Sequence, residues 1–223
     1  MNFNKHFDEY ENYSSVQKKV AKNLVNYMSK KDVFKEENNT IFEIGCGTGI
    51  FTREYRKEIT GKNNLILNDK FDVRKYIADI EYKIFKEGDV LNITIDKSDL
   101  ILSSSVFQWV SDLDRLLKKI SESSKKLCFS TYIAGNLIEI KEHFGLSLNY
   151  RSLEEIEEVA KLYFKERSFY KETIKINFES PLELLRHLKY TGVTGLQRPS
   201  VTNIRSFKNK TLSYEVAYFI CKN

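Results

Sequence analysis

The run Ile41-Phe42-Glu43-Ile44 leads directly into Gly45-Cys46-Gly47-Thr48-Gly49. Three glycines at alternate positions let a ligand lie against the main chain, because no Cβ blocks its approach. Glu43, two residues before the first glycine, would repel a phosphate. It suits a cation instead, such as an amino group or a sulfonium. A dinucleotide fingerprint has the different spacing Gly-x-Gly-x-x-Gly, and its acidic partner follows about 20 residues later. On these nine residues alone, a dinucleotide site or a plain corner between strand and helix stays open.

Two more carboxylates stand at places where chemistry is expected. Asp69 follows the short apolar run Leu65-Ile66-Leu67, 24 residues after Gly45. At the C-terminal end of a second strand it could accept both hydroxyls of a ribose. It could equally cap a helix over residues 71–80. Asp89-Val90 follows a third apolar run. Its carboxylate fits an adenine amino group, with Val90 against the ring, or it is simple loop polarity. Tyr10, Tyr13 and Gln17 lie on an amphipathic pattern whose apolar positions recur every three or four residues from Phe7 to Met28. Their polar tips could meet a ligand at the helix end, although such a stripe also serves plain packing.

The elements needed to position these groups are strands alternating with helices. Helices are expected over residues 7–30, 50–59 and 113–120, with strands at 40–44, 65–67, 82–85, 99–103 and 127–131. Such alternation implies a parallel sheet covered on both faces. Beyond residue 131 the alternation stops. Helices are expected over 136–144 and 153–163, and strands at 168–178 and 212–221. Ser180-Pro181 starts another helix, with Ser as N-cap and Pro at the first helical position, and Gly192 stops it.

The chain has 223 residues, enough to bury a sizeable core in one domain. No stretch reaches the roughly 20 apolar residues of a membrane span, and the first residues carry no apolar signal region. A cytoplasmic location is expected, with no membrane association. Cys46, Cys128 and Cys221 are widely separated, so reduced thiols and no metal site are expected. The net charge of +5 is too mild to imply nucleic acid. Its distribution is uneven: segment 184–214 carries six Lys or Arg and no acidic residue, while Glu154, Glu155, Glu157 and Glu158 crowd together. The basic segment is either a solvated face or a patch that steers an acidic partner.

The glycine motif with its preceding carboxylate resembles the first motif of class I S-adenosylmethionine (SAM) methyltransferases. Four further pieces resemble one family within that class. They are Phe3-x6-Tyr10-x6-Gln17-x2-Val20-Ala21; Ser103-x4-Gln108-Trp109; Phe129-Ser130-Thr131-Tyr132 with Glu139 beyond; and Leu184-Leu185-Arg186-His187-Leu188-Lys189-x-Thr191-Gly192-Val193. Together they are similar to the malonyl-acyl-carrier-protein O-methyltransferases, which open pimelate synthesis for biotin. Ser104 stands where that family usually has Asn, and Ile133-Ala134-Gly135-Asn136 where it has a Gly-Pro-Gly-Thr-like loop.

The resemblance implies an α/β, Rossmann-like fold. Its seven-stranded sheet would be mostly parallel, with helices on both faces and an antiparallel last strand. A single domain would span 1–223, with an N-terminal helical segment at 1–38 and substrate-capping elements within 132–195. It implies a SAM site, yielding S-adenosylhomocysteine (SAH), built from Tyr10, Tyr13, Gln17, Glu43, Gly45, Cys46, Gly47, Gly49, Asp69, Lys70, Asp89, Val90, Ser103 and Ser104. Candidates for positioning the acceptor are Gln108, Trp109, Tyr132, Arg186, His187 and Lys189, although His187 could be a core or surface histidine. The implied partner is malonyl-acyl carrier protein, an acidic protein that matches the basic segment 184–214. The implied acceptor, a malonyl carboxylate, is ionised at pH 7 and needs no general base. The protein's task would be alignment and exclusion of water. A methyltransferase acting on another small molecule, and a non-catalytic SAM- or dinucleotide-binding module, are the competing functions.

Overall fold

The structure, a computed structural model, describes residues 13–191 and 201–223. Tyr10, Gly192 and Arg198 lie outside them. The first element, α1 (Ser15–Lys30), buries Val16, Val20, Leu24 and Met28 along one stripe, as their three- and four-residue spacing dictates. β1 (Thr40–Ile44) follows, then α2 (Ile50–Tyr55), β2 (Asn64–Asp69), β3 (Ile84–Glu87), β4 (Leu100–Ser104), α3 (Leu113–Ser123) and β5 (Lys126–Tyr132). After these come α4 (Ile138–Phe144), α5 (Leu153–Tyr163), β6 (Glu166–Asn177), α6 (Pro181–Tyr190), α7 (Val201–Ser206) and β7 (Thr211–Lys222).

All seven strands form one sheet in the order β3-β2-β1-β4-β5-β7-β6. The first five run parallel; β7 is antiparallel to β5, and β6 to β7. Consecutive strands step outward from β1 to β3, and then the chain returns to place β4 on the other side of β1. Ligands of open α/β sheets bind at such a reversal, outside the carboxyl ends of the strands. Both faces of the sheet are covered. Ile41, Leu65, Leu67, Leu100 and Leu102 pack beneath α1 and α2. Phe42, Ile44, Ile66, Ile101 and Phe129 pack against α3 and α5. The central strands are therefore apolar at successive positions instead of alternating.

Two expected helices are shorter. The helix after β1 ends at Tyr55. No full helix forms over 71–80; that stretch holds a single 3-10 turn, Arg74–Tyr76. The cause is local. Asp69 accepts the N–H of Phe71 and Asp72 that of Arg74, two residues on in each case. These side-chain turns compete with helical hydrogen bonds. β3 begins at Ile84, two residues later than expected. The helix begun by Ser180-Pro181 is present: Ser180 Oγ accepts the N–H of Glu183, and Pro181 occupies the first position. Among the described residues no helix is long and apolar enough to cross a membrane.

Candidate functional site

The turn after β1 is glycine-rich and left-handed. Gly45, Gly47 and Gly49 have φ of +70°, +53° and +80°, in the left-handed region. A Cβ on Gly45 would clash with Val106 Cγ2, so the loop after β4 occupies the space a side chain would need. Backbone bonds fasten the turn to β2: Cys46 N–H donates to Asn68 O (2.9 Å) and Gly47 N–H to Asp69 Oδ2 (2.9 Å).

Glu43 lies beneath this turn and is not on the cavity wall. Its Oε2 accepts hydrogen bonds from Thr52 Oγ1 and Tyr55 OH, both at 2.7 Å, tying β1 to α2. Burial pushes its pKa up to about 7, against the pull of the two hydroxyls. Asp69 receives the N–H groups of Gly47 and Phe71. Burial raises its pKa, opposed by those N–H donors. Asp89 accepts from Leu91 N–H and from Lys70 Nζ (both 3.1 Å), and the first of these leads in lowering its pKa. From α3, Lys119 Nζ donates to the carbonyls of Val90, Leu91 and Ile93, and Arg115 to that of Leu91. The loop carrying Asp89 and Val90 is thus held from below.

A cavity of about 330 Å³ opens over these strand ends. Of the residues expected from the sequence, Gln17, Gly45, Cys46, Gly47, Asp69, Lys70, Asp89, Val90, Ser104 and Trp109 line it. Others do not. Ser103 is buried, its Oγ donating to Ile44 O at 3.0 Å. Gly49 heads α2, and Tyr13 stacks on Tyr190 at 4.7 Å. Gln108 bridges the loop after β4 and β5, donating from Nε2 to Ser105 O (2.6 Å) and accepting from Thr131 Oγ1 (3.1 Å). Tyr132 is buried with its ring 5.9 Å from that of Tyr214. His187 is a core residue: its Nε2 pairs with Tyr214 OH at 2.9 Å, and burial lowers its pKa to about 4, so it is neutral at pH 7. Arg186 and Lys189 are exposed on α6 and line no part of this cavity.

The structure adds residues to the wall that sequence reasoning missed. Asn68 fixes the loop after β3 by donating to the carbonyls of Lys86 (2.9 Å) and Gly88 (3.0 Å). Thr48, Ser105 and Gln17 also line the cavity, and each carries a buried side-chain oxygen with no hydrogen-bond partner, Thr48 Oγ1, Ser105 Oγ and Gln17 Oε1. Thr48 sits inside the glycine motif, where its position was a usable signal. Ser105 sits between Ser104 and the Gln-Trp pair, and nothing in its type marked it. Among the described residues no group of three or more His, Cys, Asp or Glu is placed to hold a metal ion.

The family described as "Methyltransferase domain" matches residues 13–196. A malonyl-[acyl-carrier protein] O-methyltransferase of Calditerrivibrio nitroreducens is 36% identical over 218 residues, covering 96% of this chain and 86% of that one. One from Bacteroides thetaiotaomicron is 33% identical, covering 89% and 78%. The plantazolicin methyltransferase BpumL, solved in complex with SAH, superposes with a TM-score of 0.59 at 15% identity, covering 96% of this chain and 88% of that one. The chain belongs to the methyltransferase domain family and, within it, to the malonyl-[acyl-carrier protein] O-methyltransferases.

Proposed function

We propose that the protein methylates the free carboxylate of malonyl-acyl carrier protein, with SAM as donor, giving the malonyl methyl ester that primes pimelate and biotin synthesis. The observation that carries this reading is the 36% identity, over 96% of the chain, to a relative bearing that activity in its name. The cavity supports it. Its wall combines a glycine turn that admits main-chain contact, two carboxylates and the apolar Val90. Such a wall fits a ligand with a cationic methionine part, a ribose and a purine.

When bound, SAM supplies an activated methyl carbon, which a carboxylate oxygen takes up while the bond to sulfur breaks and its electron pair stays on sulfur. The chain supplies placement. Asp69 accepts from the ribose hydroxyls, and Asp89 with Val90 receives the purine. Gln17, on the α1 side of the wall, lies beside the methionine part. Glu43 acts from below, holding α2 against the turn. No residue needs to move a proton, because the acceptor is already a carboxylate at pH 7.

The whole chain works as one domain, 1–223, in the cytoplasm, with 132–195 contributing the substrate cap. The acidic carrier docks on the basic face of segment 184–214, where Arg186, Lys189, Arg205, Lys208 and Lys210 are exposed. The test is methyl transfer from labelled SAM to malonyl-acyl carrier protein, acetyl-acyl carrier protein and free malonate. Label on the malonyl carrier alone is the expected result. Equal label on free malonate would make this a small-molecule enzyme. SAH binding without label on any acceptor would point to a regulatory module.

A further inference from the structure

The exposed basic residues of α6 line no part of the cavity that must receive the carrier's acceptor group. α1 is a basic element that does reach it. Its helix contains Lys18, Lys19, Lys22 and Lys30 and neither Asp nor Glu. Gln17 and Ala21, on one side of α1, line the cavity. Lys18 and Lys22 each follow one of these by a single position and stand exposed, one helical turn apart, with exposed Lys19 beside them. These three lysines flank a surface groove between α1 and α2. Ala21 and Ile50 line both the groove and the cavity, so the two adjoin.

The positive charge of this groove is not cancelled from within. Arg53, on its α2 side, is taken up by Asp79 and by the carbonyls of Thr48 and Tyr76. Glu54, the acidic residue of the groove, is held by Lys57 at 2.6 Å. Among the described residues Lys19 and Lys22 meet no carboxylate. Ammonium groups on flexible stems, spread along a helix face, suit an extended acidic surface. A single small anion would call for donors converging on one point. The face also continues towards α6. Tyr13, just ahead of α1, stacks on Tyr190 at 4.7 Å, and Lys189 Nζ lies 5.4 Å from the centre of that same ring.

We propose that the lysine face of α1, at Lys18, Lys19 and Lys22, is a docking surface for the acidic side of the acyl carrier protein and brings the loaded carrier to the rim of the cavity. The inference rests on the carrier as partner and extends the surface assigned above to α6. Attraction between such surfaces acts mainly on encounter and weakens with salt, and it leaves the methyl transfer itself unchanged.

Lys19→Glu with Lys22→Glu is the decisive variant, and Lys19→Arg with Lys22→Arg is its charge-keeping companion. Both are compared with wild type in binding of fluorescently labelled malonyl-acyl carrier protein, followed by anisotropy, and in methyl transfer to that carrier. SAH affinity is measured by calorimetry and folding by thermal melting. Charge reversal should raise Kd and KM for the carrier about tenfold at low salt, with the difference shrinking as salt rises. kcat at saturating carrier and SAH affinity should stay within about twofold, and the arginine pair should match wild type. Unchanged Kd and KM on reversal would overturn the proposal, as would an arginine pair that loses as much as the glutamate pair. An equal loss of SAH affinity would do so too, assigning the lysines to the donor site. Wild type that binds the carrier, with binding weakened by the reversal, yet transfers no label would sink the malonyl acceptor while supporting this surface. Wild type that binds no carrier would overturn both.

Discussion

The two halves of the cavity are built on opposite plans. At the ends of β2 and β3 the polar groups are already engaged by the protein. Asp69 holds two backbone N–H groups, Asn68 two carbonyls, Asp89 a backbone N–H and Lys70, and Lys119 three carbonyls of the loop. Towards β4 and α1, Ser105 Oγ and Gln17 Oε1 are buried with no partner. On the proposed reading the first half receives the nucleoside. A compact nucleoside is best met by groups held in place beforehand, since nothing then has to reorganise on binding.

Several substitutions would break or sharpen this contrast. The largest effect is expected from Asp69→Ala, which removes the proposed ribose acceptor and frees Gly47 N–H together. SAH affinity should fall by roughly two orders of magnitude, the equivalent of losing two charged hydrogen bonds; calorimetry showing unchanged affinity would refute the ribose contact. Glu43→Gln comes next and is read in stability. The folded-state pKa of about 7 lies above the ordinary value of 4.5, so the folded protein binds this proton more tightly than the unfolded chain. The contribution is fully present below pH 4.5 and is lost as pH rises through 7. It amounts to about 3 kcal/mol between pH 4.5 and 8. Urea titrations at pH 4.5 and pH 8 should show the variant losing that much less than wild type. Equal losses would mean that Glu43 is ionised in the fold throughout.

Lys119→Met should cost about tenfold in SAM affinity by loosening the loop that carries Asp89 and Val90, while kcat at saturating SAM holds. A fall in kcat alone would place that loop's influence elsewhere. The smallest effect is expected outside the cavity. Arg186→Ala with Lys189→Ala should raise KM for the malonyl carrier a few-fold, more at low salt, with SAH binding intact. Wild-type behaviour would leave α6 as a solvated face.

How legible each half was follows the same division. The strand, glycine turn and helix around residues 40–55 announce themselves locally, because chain conformation alone demands those residue types. The same holds for Ser180-Pro181, whose cap geometry is complete within four residues. The 71–80 stretch misleads because Asp69 and Asp72 close turns that spacing does not reveal. His187 and Gln108 could be nominated from sequence, but their surroundings come from distant segments, Tyr214 and Thr131. Ser105 on the wall was not legible: neither its left-handed φ nor its unpartnered oxygen is signalled by its type or spacing.

The side chain of Val106 fills the space above Gly45 where a Cβ would otherwise sit. The two positions therefore behave as a single hereditary unit. A lineage that replaced the glycine would have to trim the valine first, and would still hold an L residue at φ +70°. Which changes this protein can accumulate thus depends on their order as well as on their kind.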